Sequence, residues 1–245
     1  MKALVFAARN RKEILRDPLN LAFGIGFPVI VLLLISAIQA NIPVDLFTID
    51  RLAPGIAVFG LSFVALFSGT LIAKDRTTSY LMRLFSSPLT ARDFIFGYTL
   101  PLLPMALVQA SVCFFIAILL GLPADARILL TLVVLLPAAV LFIAIGLLAG
   151  TLFTDKQVGA VCGALLTNAA AWLSGTWFDL DLVGDVFKKI AYALPFAHAV
   201  DAARAATGGD IAATLPHLYW VIGYAVAVAT IAVIVFKRRM TSDKV

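Results

Sequence analysis

Charged side chains are scarce in this chain. Asp, Glu, Lys and Arg make up only 13% of its 245 residues, whereas a soluble globular domain carries about 25%. So few charges cannot cover a water-exposed surface, and 62% of the residues are apolar. The composition excludes an ordinary soluble domain. It predicts an all-α protein that crosses a membrane several times, with residues 1–245 forming one transmembrane domain.

The long apolar runs also lack charged groups in their interiors. Ion-coupled transporters and pumps normally bind protons or sodium through such groups at membrane depth. A channel would need a selectivity filter or a ring of charges, and the sequence contains neither pattern. Both classes are therefore disfavoured, although sodium binding by backbone carbonyls stays open.

Nucleotide-binding, catalytic and metal-binding motifs are missing as well. The phosphate loop G-x-x-x-x-G-K-[S/T] does not occur, so we expect this chain to bind no ATP by itself. Its two cysteines, Cys113 and Cys162, lie in apolar runs without zinc-ligand spacing. We predict no catalytic residue, no metal and no cofactor in this chain.

Six apolar segments are long enough to cross about 30 Å of hydrocarbon as helices. They cover about residues 19–40, 53–73, 94–120, 128–150, 158–174 and 217–236. Before them, residues 2–17 show the pattern of an amphipathic helix, with apolar residues on one arc and most charges, Arg9 among them, on the other. Such a helix lies in the membrane interface against lipid; a solvated helix is the alternative.

The basic residues lie mainly on one side of this topology. The N-terminus, the loop 74–93, the turn 151–157 and the C-terminal tail hold 14 of the 19 Lys and Arg residues. Basic residues concentrate in cytoplasmic loops, so the net charge of +5 does not point to nucleic acid. We predict a multi-pass protein of the cytoplasmic (inner) membrane with both termini in the cytoplasm.

The region 175–216 is too polar to span a membrane and too apolar to be an ordinary loop. It predicts two short outer helices, at about 184–194 and 196–207, separated by Pro195 and closed by Gly208 and Gly209. His198, Asp201 and Arg204 recur every three residues and share a helix face. We expect an ion-paired helix there, not a metal site, because His217 lies well away in sequence.

Aromatic residues recur every four positions in the second span. Phe59, Phe63 and Phe67 form one stripe, and Asn168 and Trp172 show the same spacing in the fifth span. The stripe indicates either helix packing and lipid contact or one wall of a substrate cavity, with Asn168 and Trp172 as the facing wall.

Small residues four apart flank the turn 151–157. Gly146 and Gly150 precede it, and Gly159 and Gly163 follow it. Such pairs let helix backbones approach closely. We expect the fourth and fifth spans to form a tight hairpin.

The loop 74–93 is the longest basic interruption between apolar runs. The segment 80–85 predicts a short helix with apolar side chains at Leu81, Leu84 and Phe85 and a cation at Arg83. A helix of this kind fits the groove of a partner protein, or it lies flat on lipid headgroups.

The order of these features resembles the permease subunits of type-2 ABC exporters. The most specific parts are Asp75-Arg76, the run Leu84-Phe85-Ser86-Ser87-Pro88-Leu89-Thr90-Ala91-Arg92-Asp93, and Leu194-Pro195-Phe196 with the Ala-rich piece that contains Arg204. The resemblance covers essentially the whole chain. One departure is that Thr77-Thr78-Ser79 follow Asp75-Arg76, where the family often has an acid. Asp75 is therefore our candidate for the acidic contact.

The resemblance implies an assembly of two permease chains and two ATPase subunits, with ATP and Mg²⁺ bound by the ATPases. The second permease is another copy or a homologue. The family's coupling loop docks on the ATPase, which corresponds here to Asp75, Arg76, Tyr80, Leu81, Arg83, Leu84 and Phe85. The family's outer gate corresponds to Pro195, Phe196, His198, Asp201 and Arg204.

These observations favour a permease that exports a lipophilic or amphipathic compound, such as a drug, a lipid or a peptide, as in multidrug efflux. A membrane binding or immunity protein that sequesters a peptide or lipid without transport is the alternative. An ion-coupled transporter is a third reading.

Overall fold

The computed structural model describes residues 2–43, 45–77 and 90–242, and within these ranges the chain consists of helices and turns without a β-strand. The all-α prediction is therefore confirmed. Helices in the N-terminal half are α1 (Lys2–Leu15), α2 (Pro18–Leu21), α3 (Phe27–Gln39), α4 (Ile49–Thr77) and α5 (Ala91–Leu119). A π-helical segment, Ala22–Gly26, joins α2 to α3.

The C-terminal half begins with the long helix α6 and ends with the longest helix, α11. Its α-helices are α6 (Arg127–Leu152), α7 (Asp155–Val158), α8 (Thr167–Trp172), α9 (Asp185–Ala193), α10 (Pro195–Gly208) and α11 (Ile211–Ser242). The π-helical segment Gly159–Leu166 joins α7 to α8, and a 3₁₀ turn, Leu180–Leu182, precedes α9.

Five helical segments in the described ranges are long and apolar enough to cross a membrane: Ala22–Gln39, Ile49–Thr77, Asp93–Leu119, Arg127–Leu152 and Ile211–Arg239. They coincide with the first, second, third, fourth and sixth predicted spans. The fifth predicted span, 158–174, falls on the helical run formed by α7, the second π segment and α8. That run is helical but is not among the five candidate spans of the described residues, so the fold is compatible with six spans without confirming the sixth.

Helix α4 is the centre of the bundle. In the most apolar 18-residue stretch of α4, 83% is buried. The corresponding figure is 17% for both the first and the last span. A helix that is apolar on all sides can be buried on all sides, and α4 packs against α3, α5, α6 and α10. The first and last spans therefore present most of their surface outward, to lipid or to another protein.

Helices α4 and α6 approach each other closely. A Cβ atom at Gly146 would overlap the carbonyl oxygen of Ala65, and one at Gly150 would overlap the carbonyl oxygen of Gly69. Ser68 Oγ adds a hydrogen bond of 2.9 Å to the carbonyl oxygen of Ile143. The prediction that this glycine pair tightens a hairpin with the fifth span was wrong, because its partner is the second span.

The second glycine pair makes no such contact. Nothing lies within 4 Å of a Cβ atom placed at Gly159, and Gly163 has only the Leu66 side chain nearby, at 3.5 Å. The fifth segment therefore approaches its neighbours through side chains.

Two short helices precede the last span, as predicted. Pro195 is the first residue of α10, where its missing N–H costs nothing. Gly209 ends α10 with φ of +83°, a left-handed conformation that glycine adopts without strain. Local sequence signals thus determine both ends of α10.

Candidate functional site

The predicted docking loop begins at a buried carboxylate. The side chain of Asp75 is 2% exposed. Arg9 donates two hydrogen bonds of 2.8 Å, one to each carboxylate oxygen, and the Tyr98 hydroxyl donates a third of 2.7 Å. A forked guanidinium–carboxylate contact is among the stronger polar interactions in proteins. The Arg9–Asp75–Tyr98 cluster therefore binds α1, the end of α4 and the start of α5 to one another.

Further contacts fix α1 on α5. Asn10 is fully buried, and its Nδ2 donates 3.0 Å to the carbonyl oxygen of Gly97. The Phe6 ring meets Tyr98 edge-on with centroids 4.9 Å apart, and it fills the space that a Cβ at Gly97 would need. Arg9 thus faces the bundle, which differs from the predicted arc of solvent-facing charges. The inward face of α1 contains Phe6, Ala7, Arg9 and Asn10.

The neighbouring residue Arg76 points to a different helix. Its Nη1 donates to the carbonyl oxygens of Gly150, Thr151 and Phe153, at 2.9, 2.7 and 3.3 Å. The last carbonyls of a helix have no partner within the helix, so Arg76 caps the end of α6. The adjacent pair Asp75 and Arg76 therefore connects the start of the loop to α1 and α5 on one side and to α6 on the other.

The rest of the predicted docking surface lies outside the described residues. This applies to Tyr80, Leu81, Arg83, Leu84 and Phe85, for which docking stays a prediction.

A cavity of about 560 Å³ lies beside α4 and contains four of the five residues predicted to form a substrate cavity: Phe59, Phe63, Asn168 and Trp172. The rings of Phe59 and Phe63 are perpendicular with centroids 5.7 Å apart, and Trp177 lies 5.4 Å from Phe59. Phe27 from the first span lies 5.3 Å from Phe63. We call this the aromatic cavity. Its walls are α3, α4 and α8, together with the segment that contains Trp177.

The fifth residue of that set, Phe67, does not line the aromatic cavity. Its ring is 4% exposed and occupies the space that a Cβ atom at Gly24 would need. The stripe on α4 is therefore divided, with Phe59 and Phe63 facing the cavity and Phe67 packing against the first π segment.

Asn168 and Trp172 form the exposed wall of the aromatic cavity. Trp172 is 52% exposed. The Asn168 amide donates 2.8 Å to the carbonyl oxygen of Ala164, and Trp172 Nε1 donates 3.4 Å to Asn168 Oδ1. Thr167 Oγ1 donates 2.9 Å to the Cys162 carbonyl oxygen, five residues earlier, as the wider π turn allows. These bonds fix both side chains at the cavity edge.

The predicted outer gate residues lie at the opposite end of the bundle from the loop. Arg204 Nη2 donates 2.9 Å to the carbonyl oxygen of Gly175, and its Nε donates 3.1 Å to that of Arg51. The Tyr192 hydroxyl donates 2.7 Å to Asp201. Burial raises the pKa of Tyr192 and the Asp201 carboxylate raises it further, so the phenol stays protonated as a donor. Pro195 and Phe196 are buried at the start of α10.

A polar cavity of about 440 Å³ is lined by several of these groups, among them Arg51, Asp179, Lys188, Asp201 and Arg204. It shares Phe47 and Trp177 with the aromatic cavity. An apolar space and a charged space therefore adjoin at this end of the bundle.

The two histidines meet, although they are far apart in sequence. His198 Nδ1 lies 2.8 Å from His217 Nδ1, and His198 Nε2 lies 3.0 Å from the carbonyl oxygen of Tyr192. A carbonyl oxygen only accepts, so His198 Nε2 donates and its Nδ1 accepts from His217. Trp220 stacks on His198 with centroids 5.1 Å apart. Among the described residues no group of three or more His, Cys, Asp or Glu side chains could hold a metal ion.

We expect acid to weaken the packing of α10 on α11. Burial lowers the pKa of His198 below 6.5, the nearby His217 lowers it further, and the Tyr192 carbonyl and Asp201 oppose the shift. The unfolded chain therefore takes up this proton first, so the free energy of unfolding falls as pH drops below about 6.5. The unfolding midpoint should fall more between about pH 7.5 and 5.5 in the unmodified chain than in His198→Gln. Equal pH dependence in both proteins would contradict this.

Sequence reasoning missed Arg9 and Tyr98 as partners of Asp75 and Asn10 as the contact between α1 and Gly97, and it missed Phe47 and Trp177 in the cavities. Asn10 has Phe6, Ala7 and Ile14 at helical spacing, so a polar residue on an apolar face was the usable signal for α1. Spacing within one helix gave no indication of the other contacts, because each of them joins residues from different helices.

Comparisons with known proteins agree with this architecture. A family model described as "ABC-2 type transporter" matches residues 2–207, a range that includes every site residue named above except His217 and Trp220. The chain is 32% identical over 133 residues to the "Putative transport permease ycf38" of Porphyra purpurea. This aligned region covers 51% of this chain and 46% of that protein. It is 35% identical over 100 residues to the protein of the same name from Pyropia yezoensis, covering 39% of this chain and 34% of that protein. The chain thus spans less than half the length of either relative.

Proposed function

Because this chain belongs to the ABC-2 type transporter family, we propose that it is the multi-pass membrane permease of an ABC exporter and moves a lipophilic or amphipathic compound outward. The observation that carries the proposal is the family match over residues 2–207, which includes the loop and four of the five apolar spans. In this proposal the chain provides the path, and a separate subunit provides the energy.

The proposed partner is an ABC ATPase. The family supports such a subunit, and the absence of a phosphate loop from the sequence agrees with ATP and Mg²⁺ binding elsewhere. The loop 74–93 is the proposed docking surface, with Leu81, Leu84 and Phe85 as apolar contacts. The proposed assembly contains two ATPases and two permeases, the second being a copy of this chain or a homologue. The outward-facing first and last spans leave surface for that contact.

The aromatic cavity supports a lipophilic or amphipathic substrate. Its aromatic rings offer apolar area with little conformational entropy to lose, and the amide of Asn168 lies at its edge. The adjoining polar cavity offers charged groups to a polar part of the same molecule. Drugs, lipids and peptides all meet this description.

The orientation of the chain in the membrane follows from charge in this proposal. Most basic residues lie on the side of the loop, which we place in the cytoplasm together with both termini. The α9–α10 pair then faces outward as the gate, and it includes Phe196 and Arg204. The membrane is the cytoplasmic (inner) membrane.

The proposal is tested by purifying the chain with candidate ATPases and reconstituting the complex in lipid vesicles. We expect a stable complex that hydrolyses ATP and moves a fluorescent lipophilic dye or a short-chain labelled lipid only when both subunits are present. Transport that follows an ion gradient without ATP would contradict the proposal. So would cells that stay protected against a toxic peptide or lipid by this chain after the ATPase has been removed.

Removing one ring from the aromatic cavity should weaken substrate binding. In Phe63→Ala we expect the concentration of lipophilic compound that gives half-maximal ATPase stimulation to rise roughly tenfold, or about 1.4 kcal/mol. Tyr219→Ala is the matched control, because Tyr219 is 66% exposed and lies on α11 away from this cavity. Equal effects of both substitutions would remove the substrate role of the cavity.

A further inference from the structure

The two ends of the loop 74–93 are fixed to one another through α1. One end is the last turn of α4, where Asp75 is buried. The other is the start of α5, where the Thr90 side chain accepts from the Asp93 N–H and the Asp93 carboxylate accepts from the Thr90 N–H, forming a capping box. Tyr98 lies two turns further along α5 and donates to Asp75. Arg9 completes the connection from α1.

The electrostatics of this connection indicate that the Arg9–Asp75 ion pair serves to position the helices. A buried carboxylate is costly unless it is paired, and a buried pair seldom stabilises a fold more than apolar side chains of the same size. The Asp75 carboxylate is nevertheless 2% exposed, while the side chain of Arg9 is 34% exposed and also contacts Asn10 at 2.8 Å and Glu13 at 2.6 Å. The ionic pair fixes a unique arrangement of three helices at the point where the loop begins.

We propose that Asp75 is a positioning residue for energy coupling, held by Arg9 and Tyr98 so that α1 and both ends of the loop move as one body. A displacement of the loop by the ATPase then reaches α5 and α1 together and does not simply bend the last turn of α4. Arg76, bonded to the end of α6, passes the same displacement to the fourth span. This inference rests on the proposed function, because it requires an ATPase on the loop.

The test uses the purified complex with its ATPase and needs no substrate. Ser174 is 1% exposed and lines the polar cavity at the far end of the bundle. In a chain with Cys113→Ala, Cys162→Ala and Ser174→Cys, the rate of labelling by fluorescein-5-maleimide reports on that end. It is measured with and without ATP and orthovanadate, which trap the nucleotide on the ATPase.

Trapping should change the labelling rate by about fivefold or more in the chain with the intact cluster. In Arg9→Gln and in Tyr98→Phe we expect ATP hydrolysis to continue while the labelling rate loses most of this response. The matched control is Lys12→Ala, which removes an exposed cation from the same helix. In this variant, trapping should change the labelling rate as much as in the chain with the intact cluster. Exchanging the charges, with Arg9→Asp and Asp75→Arg together, should restore part of the response.

The outcomes separate the two proposals. If Arg9→Gln does not assemble, Tyr98→Phe decides, because it removes only one hydroxyl and leaves the ion pair. A full response in assembled Tyr98→Phe or Arg9→Gln overturns the positioning role while the proposed function stands. If the chain with the intact cluster binds no ATPase, or shows no response to trapping, the proposed function itself fails.

Discussion

Alanine at Gly146 is expected to lower the free energy of unfolding by about 3 kcal/mol, near the upper end of what overpacking costs. The new Cβ atom would overlap the carbonyl oxygen of Ala65, and a Cβ on Ser68 lies 2.8 Å from the same position. A backbone carbonyl cannot rotate away as a side chain can. The contact therefore yields only if α4 and α6 move apart.

The control is the same substitution at Gly159, where a Cβ atom meets nothing within 4 Å. Alanine in an open helical position normally stabilises by about 0.5–1 kcal/mol. Thermal unfolding of both variants in detergent should move their midpoints in opposite directions relative to the unmodified chain. A Gly146→Ala protein as stable as the unmodified one would show that α4 and α6 are not in close contact.

Two acidic residues in the docking loop should strongly weaken binding of the ATPase. Leu84→Asp with Phe85→Asp replaces both apolar contacts that we predict for its groove. We place Leu84 and Phe85 among the few central interface residues whose loss costs about 2 kcal/mol or more, so we expect a decrease in affinity of roughly 30-fold or more. The measurement is the dissociation constant of the detergent-solubilised complex, with ATP hydrolysis by the complex as a second readout.

Ser86→Asp with Ser87→Asp is the matched control, because it adds the same two charges at the next two positions. We expect this variant to keep most of its affinity. Equal loss in both double variants would show that added charge, and not the loss of apolar contacts, weakens binding. Unchanged affinity in the Leu84–Phe85 variant would remove the docking role of these two residues.

The features that the sequence predicts well depend on neighbouring residues. Pro195 and Gly209 act on their own backbone, so the break between α9 and α10 and the end of α10 can be predicted from residue type. The same holds for the long apolar helices, because length and composition alone distinguish them. The fifth segment is harder, because its first turn is polar and the apolar run 158–174 is near the lower length limit for a span.

Features that depend on which helix lies opposite could not be predicted in the same way. The spacing of Gly146 and Gly150 shows that one face of α6 is small, but it cannot tell whether α4 or the fifth segment covers that face. The polar arc of α1 misplaced Arg9 for the same reason, since its partner Asp75 is 66 residues away. The pair of His198 and His217 is joined only by the packing of α10 on α11.

The candidate site was predicted in part. A cavity with Phe59 and Phe63 on one wall and Asn168 and Trp172 on the other was one of two interpretations of their spacing, and these four residues do line one cavity, where α4 and α8 meet. Phe67 continues the same spacing but lies beyond the cavity, where the first π segment covers it. The docking residues 80–85 remain a prediction from sequence and family.

Both π segments border the aromatic cavity, through Phe23 on one side and Gly163 on the other. A π turn accommodates one residue more than an α turn, while every backbone amide keeps a partner. The surplus residue can move along the helix axis by exchanging i→i+5 for i→i+4 bonds, and each step rotates by about 100° only the residue that it passes, while the turns before and after keep their places. In the two walls that flank α4, the helical register can therefore change without unwinding of the helix. Helix α4 is α-helical throughout Ile49–Thr77 and provides the fixed wall. Under the proposed function, such a shift would re-aim individual side chains on two walls of the cavity and so change the shape that it offers to a bound molecule.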